Sequence, residues 1–283
     1  MKIRQTFAEN FYAGDIERQI ESFIIDYEPP AGVSSVAAGV VPHAGWMFSG
    51  KIAARIFASI KNFTTPETIV LFGTVHNIGE VKRNSVFGDG AWETPLGVVN
   101  VDNTLAQELL DAAPGLLFDD PAAHDNEHSI EVQIPFIKYL LPGTRIVPVA
   151  VLPDKNAAKI GETVAEVVQN TDKNIAAVGT TDLTHYGYNY GFAPAGMGDK
   201  AHKWMHENDM SIINLALNLD AEAIIDEAKK NHNACGSGAL AATAAFAKKC
   251  GVKKGRLLDY TTSYDIMPDE VFTVGVGYAG ILF

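Results

Sequence analysis

Cysteine is scarce in this chain. Its 283 residues contain two, Cys235 and Cys250, too few for a disulfide framework, so a reducing cytoplasm is the expected setting. Basic charge is also in short supply. Twenty-two lysines and arginines against 34 acidic residues leave a formal net charge of −12. That balance excludes nucleic acid as a main partner, because phosphate binding needs clustered cations. No apolar run is long enough to cross a bilayer, and the opening MKIRQTFAENFYAGD lacks the apolar core of a signal peptide. No linker, internal repeat or low-complexity tract divides the chain, so one domain over residues 1–283 is the simplest organisation. What remains is ordinary globular composition, 47% hydrophobic and 20% charged, in a chain long enough to bury a sizeable core.

Apolar, β-branched runs alternate with helix-patterned segments. Strands are expected within 35–41, 68–73, 145–152, 174–181, 256–262 and 272–283. Helices are expected over 46–60, 103–113, 127–141, 155–170, 197–218, 221–230 and 236–249. The stretch SVFGDGAWETPLGVVNV, punctuated by glycine and proline, reads as a hairpin excursion. Short unbroken apolar strands separated by helices predict an α/β fold: a mostly parallel central sheet with helices on both faces.

In such folds ligands bind beyond the carboxyl ends of the strands. Three expected strands end in chemistry-bearing residues: His43 in VVPHAGW, His76 in LFGTVHN, and Asp182 with His185 in VGTTDLTHYG. Cys235 precedes a glycine-started, alanine-rich helix, whose N-terminal field favours thiolate over thiol. Cys250, among lysines at the far end of that helix, reads as structural. Two imidazoles and a thiolate suit a divalent transition metal with open positions, and iron, copper and zinc all accept that set. His185 then serves as an acid/base beside the metal, with Asp182 orienting it or sharing its proton. His124, Glu127 and His128 match the H-x-x-E-H pattern of inverted zinc metallopeptidases. A helix starting near residue 126 leaves His124 outside it, however, so Glu127, His128 and Glu131 are expected only to edge the site. His202 and His206, four apart on a helix with Trp204 and Met205, read as an ordinary surface or core face rather than a metal site.

Five ordered motifs, VVPHAGWMFSG, GTVHN, EHSIEVQIPF, TTDLTHYG and ACGSG, resemble the Memo-like proteins, and ENFYAGD is similar to that family's opening segment. In bacteria and archaea such proteins are described as component B of a system with an AMMECR1-like protein and a radical-SAM protein, which makes those two expected partners. The resemblance implies a fold like that of the class III extradiol dioxygenases, which use non-haem Fe(II). It implies His43, His76 and Cys235 as metal ligands, His185 as the acid/base, and Fe(II) ahead of copper or zinc. Glu127, His128, Trp46 and Tyr186 are expected to support the site or face a substrate. Cys235 stands where the ring-cleaving enzymes use a carboxylate, so ring cleavage does not carry over directly. Asn77 follows His76 where the family commonly carries a second histidine. The leading expectation is a metal-dependent, dioxygenase-like oxidoreductase acting on a small molecule. A non-catalytic metal- or peptide-binding component comes second, and a hydrolase using Cys235 as nucleophile third. Long apolar β-runs also suit a homo-oligomer.

Overall fold

The computed structural model describes every residue except Met1, Ile78 and Glu80. Its strands are β1 (Ile3–Arg4), β2 (Ala38–Val41), β3 (Thr68–Gly73), β4 (Ser85–Val86), β5 (Ala91–Trp92), β6 (Val99–Asn100), β7 (Phe118–Asp119), β8 (Arg145–Ala150), β9 (Ile175–Thr180), β10 (His185–Gly187), β11 (Arg256–Thr262) and β12 (Val274–Leu282). The helices are α1 (Ile16–Ile24), α2 (Trp46–Phe63), α3 (Asn103–Ala112), α4 (Ile134–Leu140), α5 (Asn156–Gln169), α6 (Asp199–Leu217), α7 (Ala221–Asn231), α8 (Ser237–Lys249) and α9 (Ser263–Ile266). Among the described residues no helix is long and apolar enough to cross a membrane.

The period-2 geometry of a strand decides the layering. Val70 and Phe72 of β3, Val147 and Val149 of β8, and Ala177 of β9 enter one apolar core, with α3, α5, α6, α7 and α8. Their neighbours Ile69, Leu71, Ile146, Ala176 and Val178 enter a second core, with α1, α2 and α4. Both faces of the central strands are therefore covered, which is why these segments read as unbroken apolar runs. The main sheet runs β10-β12-β2-β9-β3-β8-β4-β7, with β11 on β12. β2, β9, β3 and β8 are parallel. β12 is antiparallel to β2, β10 and β11, and β4 is antiparallel to β8. Elements from both ends of the sequence interleave in this sheet, so no cut in the chain separates two cores.

Local departures from expectation have local causes. The helix expected from residue 127 starts later, as a 3-10 turn at Glu131–Gln133 leading into α4. The Glu127 carboxylate accepts the Ser129 N–H at 2.9 Å and holds residues 127–130 out of helix. The excursion is a β5–β6 hairpin, but β4 leaves it to join β8. α1 was not expected from the sequence. It is capped by Asp15, which accepts from the Arg18 N–H at 3.1 Å, and it buries only Ile16 and Ile20.

Candidate metal centre

β2, β3 and β9 are adjacent and parallel, so the segments leaving their carboxyl ends emerge together. His43 follows β2 and is 1% exposed. Its backbone N–H donates to Asp182 Oδ1 at 2.8 Å, and its Nδ1 lies 2.8 Å from the Thr180 hydroxyl at the end of β9. His76 follows β3. Its N–H donates to Glu127 Oε2 at 2.8 Å, and its Nδ1 lies 2.9 Å from Oε1 of the same carboxylate. His128 stacks on His76, with ring centroids 4.5 Å apart and planes 14° off parallel, and stands edge-on to His43 at 5.4 Å. Each of the three residues offers one nitrogen within 4.8 Å of the other two.

The chemistry of this donor set fits a transition-metal cation. With Nδ1 of His43 and His76 engaged by a hydroxyl and a carboxylate, Nε2 is the nitrogen left to ligate, the arrangement usual for metal-bound histidine. Burial holds the His43 ring well below the ordinary histidine range, and nearby His76, His128 and His185 act in the same direction. Burial and His76 likewise lower His128 to about 4, against Glu127 and Glu131. Both rings therefore stay neutral, the form that binds metals. Burial alone raises the Glu127 carboxyl, but hydrogen bonds from His76 and the Ser129 N–H outweigh it and hold the group at about 2. An ionised carboxylate thus holds His76 beside two rings, His43 and His128, that resist protonation, a setting that favours a bound cation.

Cys235 packs its sulfur 3.2 Å from His43 Nε2 and 3.6 Å from the Asp182 carbonyl oxygen. The group of three that geometry assembles contains His128, however, and not Cys235. Burial pushes the Cys235 thiol up, against the direction expected from the helix N-terminus, and the Asp182 carboxyl adds to that push. Desolvation is the largest cause, and it works against thiolate formation at this position. Burial raises the Asp182 carboxyl as well, opposed by His185 and the His43 N–H.

His185 opens β10, and its Nδ1 lies 3.1 Å from the Leu183 carbonyl oxygen, which can only accept, so Nδ1 is the donor there; among the described residues Nε2 has no hydrogen-bond partner. With Tyr190, Phe192, His232 and Cys235 it lines a cleft of about 380 Å³. The other expected edge residues lie elsewhere. Tyr186 is fully buried on the opposite side of β10 from His185, as strand alternation requires; its hydroxyl bonds the Gly196 carbonyl and the Ala195 N–H, each at 3.0 Å. Trp46 is 2% exposed, stacks on Phe136 at 4.1 Å and donates its indole N–H to the Val132 carbonyl at 3.0 Å. Neither side chain lines the cleft. Glu131 does not edge the site either: it pairs with Arg4 at 2.7 Å and accepts from Tyr12 and the Phe7 and Ala8 N–H groups. His124 sits apart from the cluster, edge-on to Phe87 and Trp92, so the metallopeptidase pattern is not built.

Comparison with known proteins agrees with this architecture. The crystal structure of an uncharacterised protein from Escherichia coli K12 aligns with a TM-score of 0.51, covering 87% of this chain and 99% of that one at 12% identity, a likeness of fold. A MEMO1 family protein of Thermococcus onnurineus is 34% identical, covering 98% of this chain and 97% of its own. One from Pyrococcus furiosus is 35% identical, covering 99% and 98%. The family model for Memo-like protein matches residues 5–282, and the chain belongs to the Memo-like family.

Proposed function

We propose that the protein is a metal-dependent redox protein, an oxidoreductase of dioxygenase-like type working in a reducing cytoplasm. The observation that carries this reading is the convergence of His43, His76 and His128 at the strand ends, beside Cys235. A divalent transition metal, Fe(II) first and copper or zinc after it, would be held by His43 and His76, with His128 or Cys235 completing the set. When bound, such an ion supplies Lewis acidity and access to one-electron chemistry. Thr180 and Glu127 fix the two ligand rings from behind. Asp182 holds the His43 backbone, and His185 offers its Nε2 for moving a proton at a small oxygen-bearing substrate in the cleft.

The test is metal analysis of protein purified without oxygen, with absorbance spectra that report sulfur-to-metal charge transfer, followed by oxygen uptake with catechol as probe. One equivalent of iron lost in His43→Ala, with uptake lost in His185→Gln at unchanged iron content, is the expected result. No bound metal and no uptake would end the proposal.

A second reading is a metal-carrying recognition component that docks a peptide or the AMMECR1-like and radical-SAM partners. Exposed Tyr190 (48%), which lines the cleft, and Tyr188 (69%) on the same short helical turn favour it. Partner binding that survives His43→Ala, with no oxygen uptake by the metal-loaded protein, would select it.

A further inference from the structure

A second constellation lies on α6, sharing no residue with the first. His202 and His206 are four residues apart and face the same way. Their Nε2 atoms approach to 2.9 Å, and Asp265 brings Oδ1 to 3.2 Å from His202 Nε2 and Oδ2 to 3.6 Å from His206 Nε2. All three side chains offer a ligand atom within 4.8 Å of the others. We propose that His202, His206 and Asp265 form a second metal site, for a divalent ion of the zinc class.

The surroundings fix each ligand before any ion arrives. Asp265 belongs to a capping box: its Oδ2 accepts from the Thr262 N–H at 2.9 Å and the Thr262 hydroxyl at 2.7 Å, which turns Oδ1 toward His202. The His202 ring packs against Tyr264 at 4.9 Å and Phe272 at 5.0 Å, and the His206 ring against Tyr260 at 5.3 Å. These ring contacts hold both imidazoles in place, and the cap hydrogen bonds hold the carboxylate. Two imidazole nitrogens and one carboxylate oxygen make a zinc-type set, and zinc takes a fourth ligand. The side chains are 24%, 35% and 33% exposed, so that position opens to water or an incoming donor. Two Nε2 atoms aimed at each other can make only one N–H···N bond between them. A cation instead accepts a lone pair from both. A bound ion would tie α6 to the β11–β12 connection, the two elements that enclose Tyr186 of β10 through Trp204 and Phe272.

Titration of the full chain with Co(II), followed by visible absorbance and equilibrium dialysis, tests the site. Two equivalents are expected for the unaltered protein and one for His202→Ala/His206→Ala. His43→Ala/His76→Ala should keep the equivalent held by α6. Asp265→Asn keeps an oxygen for the cap and should weaken the second equivalent roughly tenfold or more. Histidine-selective ¹⁵N spectra of the unaltered chain give a reading that does not depend on variant folding. Zn(II) should shift the Nε2 signals of His202 and His206. Unchanged stoichiometry in a folded double variant, or signals from both rings that ignore Zn(II), would mean a hydrogen-bonded imidazole pair steadied by Asp265 and no metal site.

Discussion

Glu127 shows how much one side chain can decide. It accepts from the His76 N–H, the His76 ring and the Ser129 N–H, so it positions one proposed ligand and shapes the turn that presents another, His128. Glu127→Gln keeps one acceptor but loses the charge, and metal affinity should fall about 10–100-fold in a chelator competition, with a lower melting temperature at neutral pH because the depressed carboxyl stabilises the fold there. Asp209 gives a prediction of a different kind. Its carboxyl accepts from the Thr184 N–H at 2.9 Å and the Tyr260 hydroxyl at 2.8 Å, yet burial outweighs both and raises it from 3.8 to about 7. Between those values the folded chain holds a proton that the unfolded chain has released, so stability falls as pH rises through that window. Asp209→Asn lacks this dependence. It should match the parent near pH 4 and exceed it by on the order of a few kcal/mol near pH 8, read from urea unfolding at each pH. A difference independent of pH would refute the buried acid.

At the scale of elements, the close approach of α5 and α8 carries the clearest expectation. α8 is buried along Ser237–Ala247 and built almost entirely of small residues. Gly161 of α5 sits where an added Cβ would overlap the Ala242 backbone. Gly161→Ala gains about 1 kcal/mol of helix propensity, but overpacking costs about 1–3 kcal/mol or more. The urea midpoint should therefore fall at constant slope. Most elements were legible because their periods are local: a helix turns every 3.6 residues and a strand alternates every two. The start of the helix after residue 127 was not legible. A carboxylate bonding its own backbone two residues on competes with helix, and the sequence pattern does not say which arrangement prevails. Tyr186 was misplaced for a related reason. His185 on the same short strand faces the cleft, and adjacent residues on a strand cannot both do so.

Across the whole molecule, the N-terminal segment is stapled to the turn that carries His128. Arg4 donates to Glu131 at 2.7 Å and to the His124 and Glu127 carbonyls, each at 2.8 Å, with its guanidinium 4.2 Å from the Trp92 ring. Arg4→Met strands a buried carboxylate, and about 3–5 kcal/mol of stability should be lost in urea unfolding, together with weaker metal binding. The amino-acid sequence by itself determined the α/β class and the delivery of His43, His76, Asp182 and His185 to strand ends, because local pattern sets the elements and parallel sheets expose their carboxyl edge. Only the tertiary structure decided that His128 closes the histidine group, that burial raises the Cys235 thiol, and that Asp265 meets His202 and His206. Those outcomes depend on distance and desolvation between segments remote in the chain, and no periodicity encodes either.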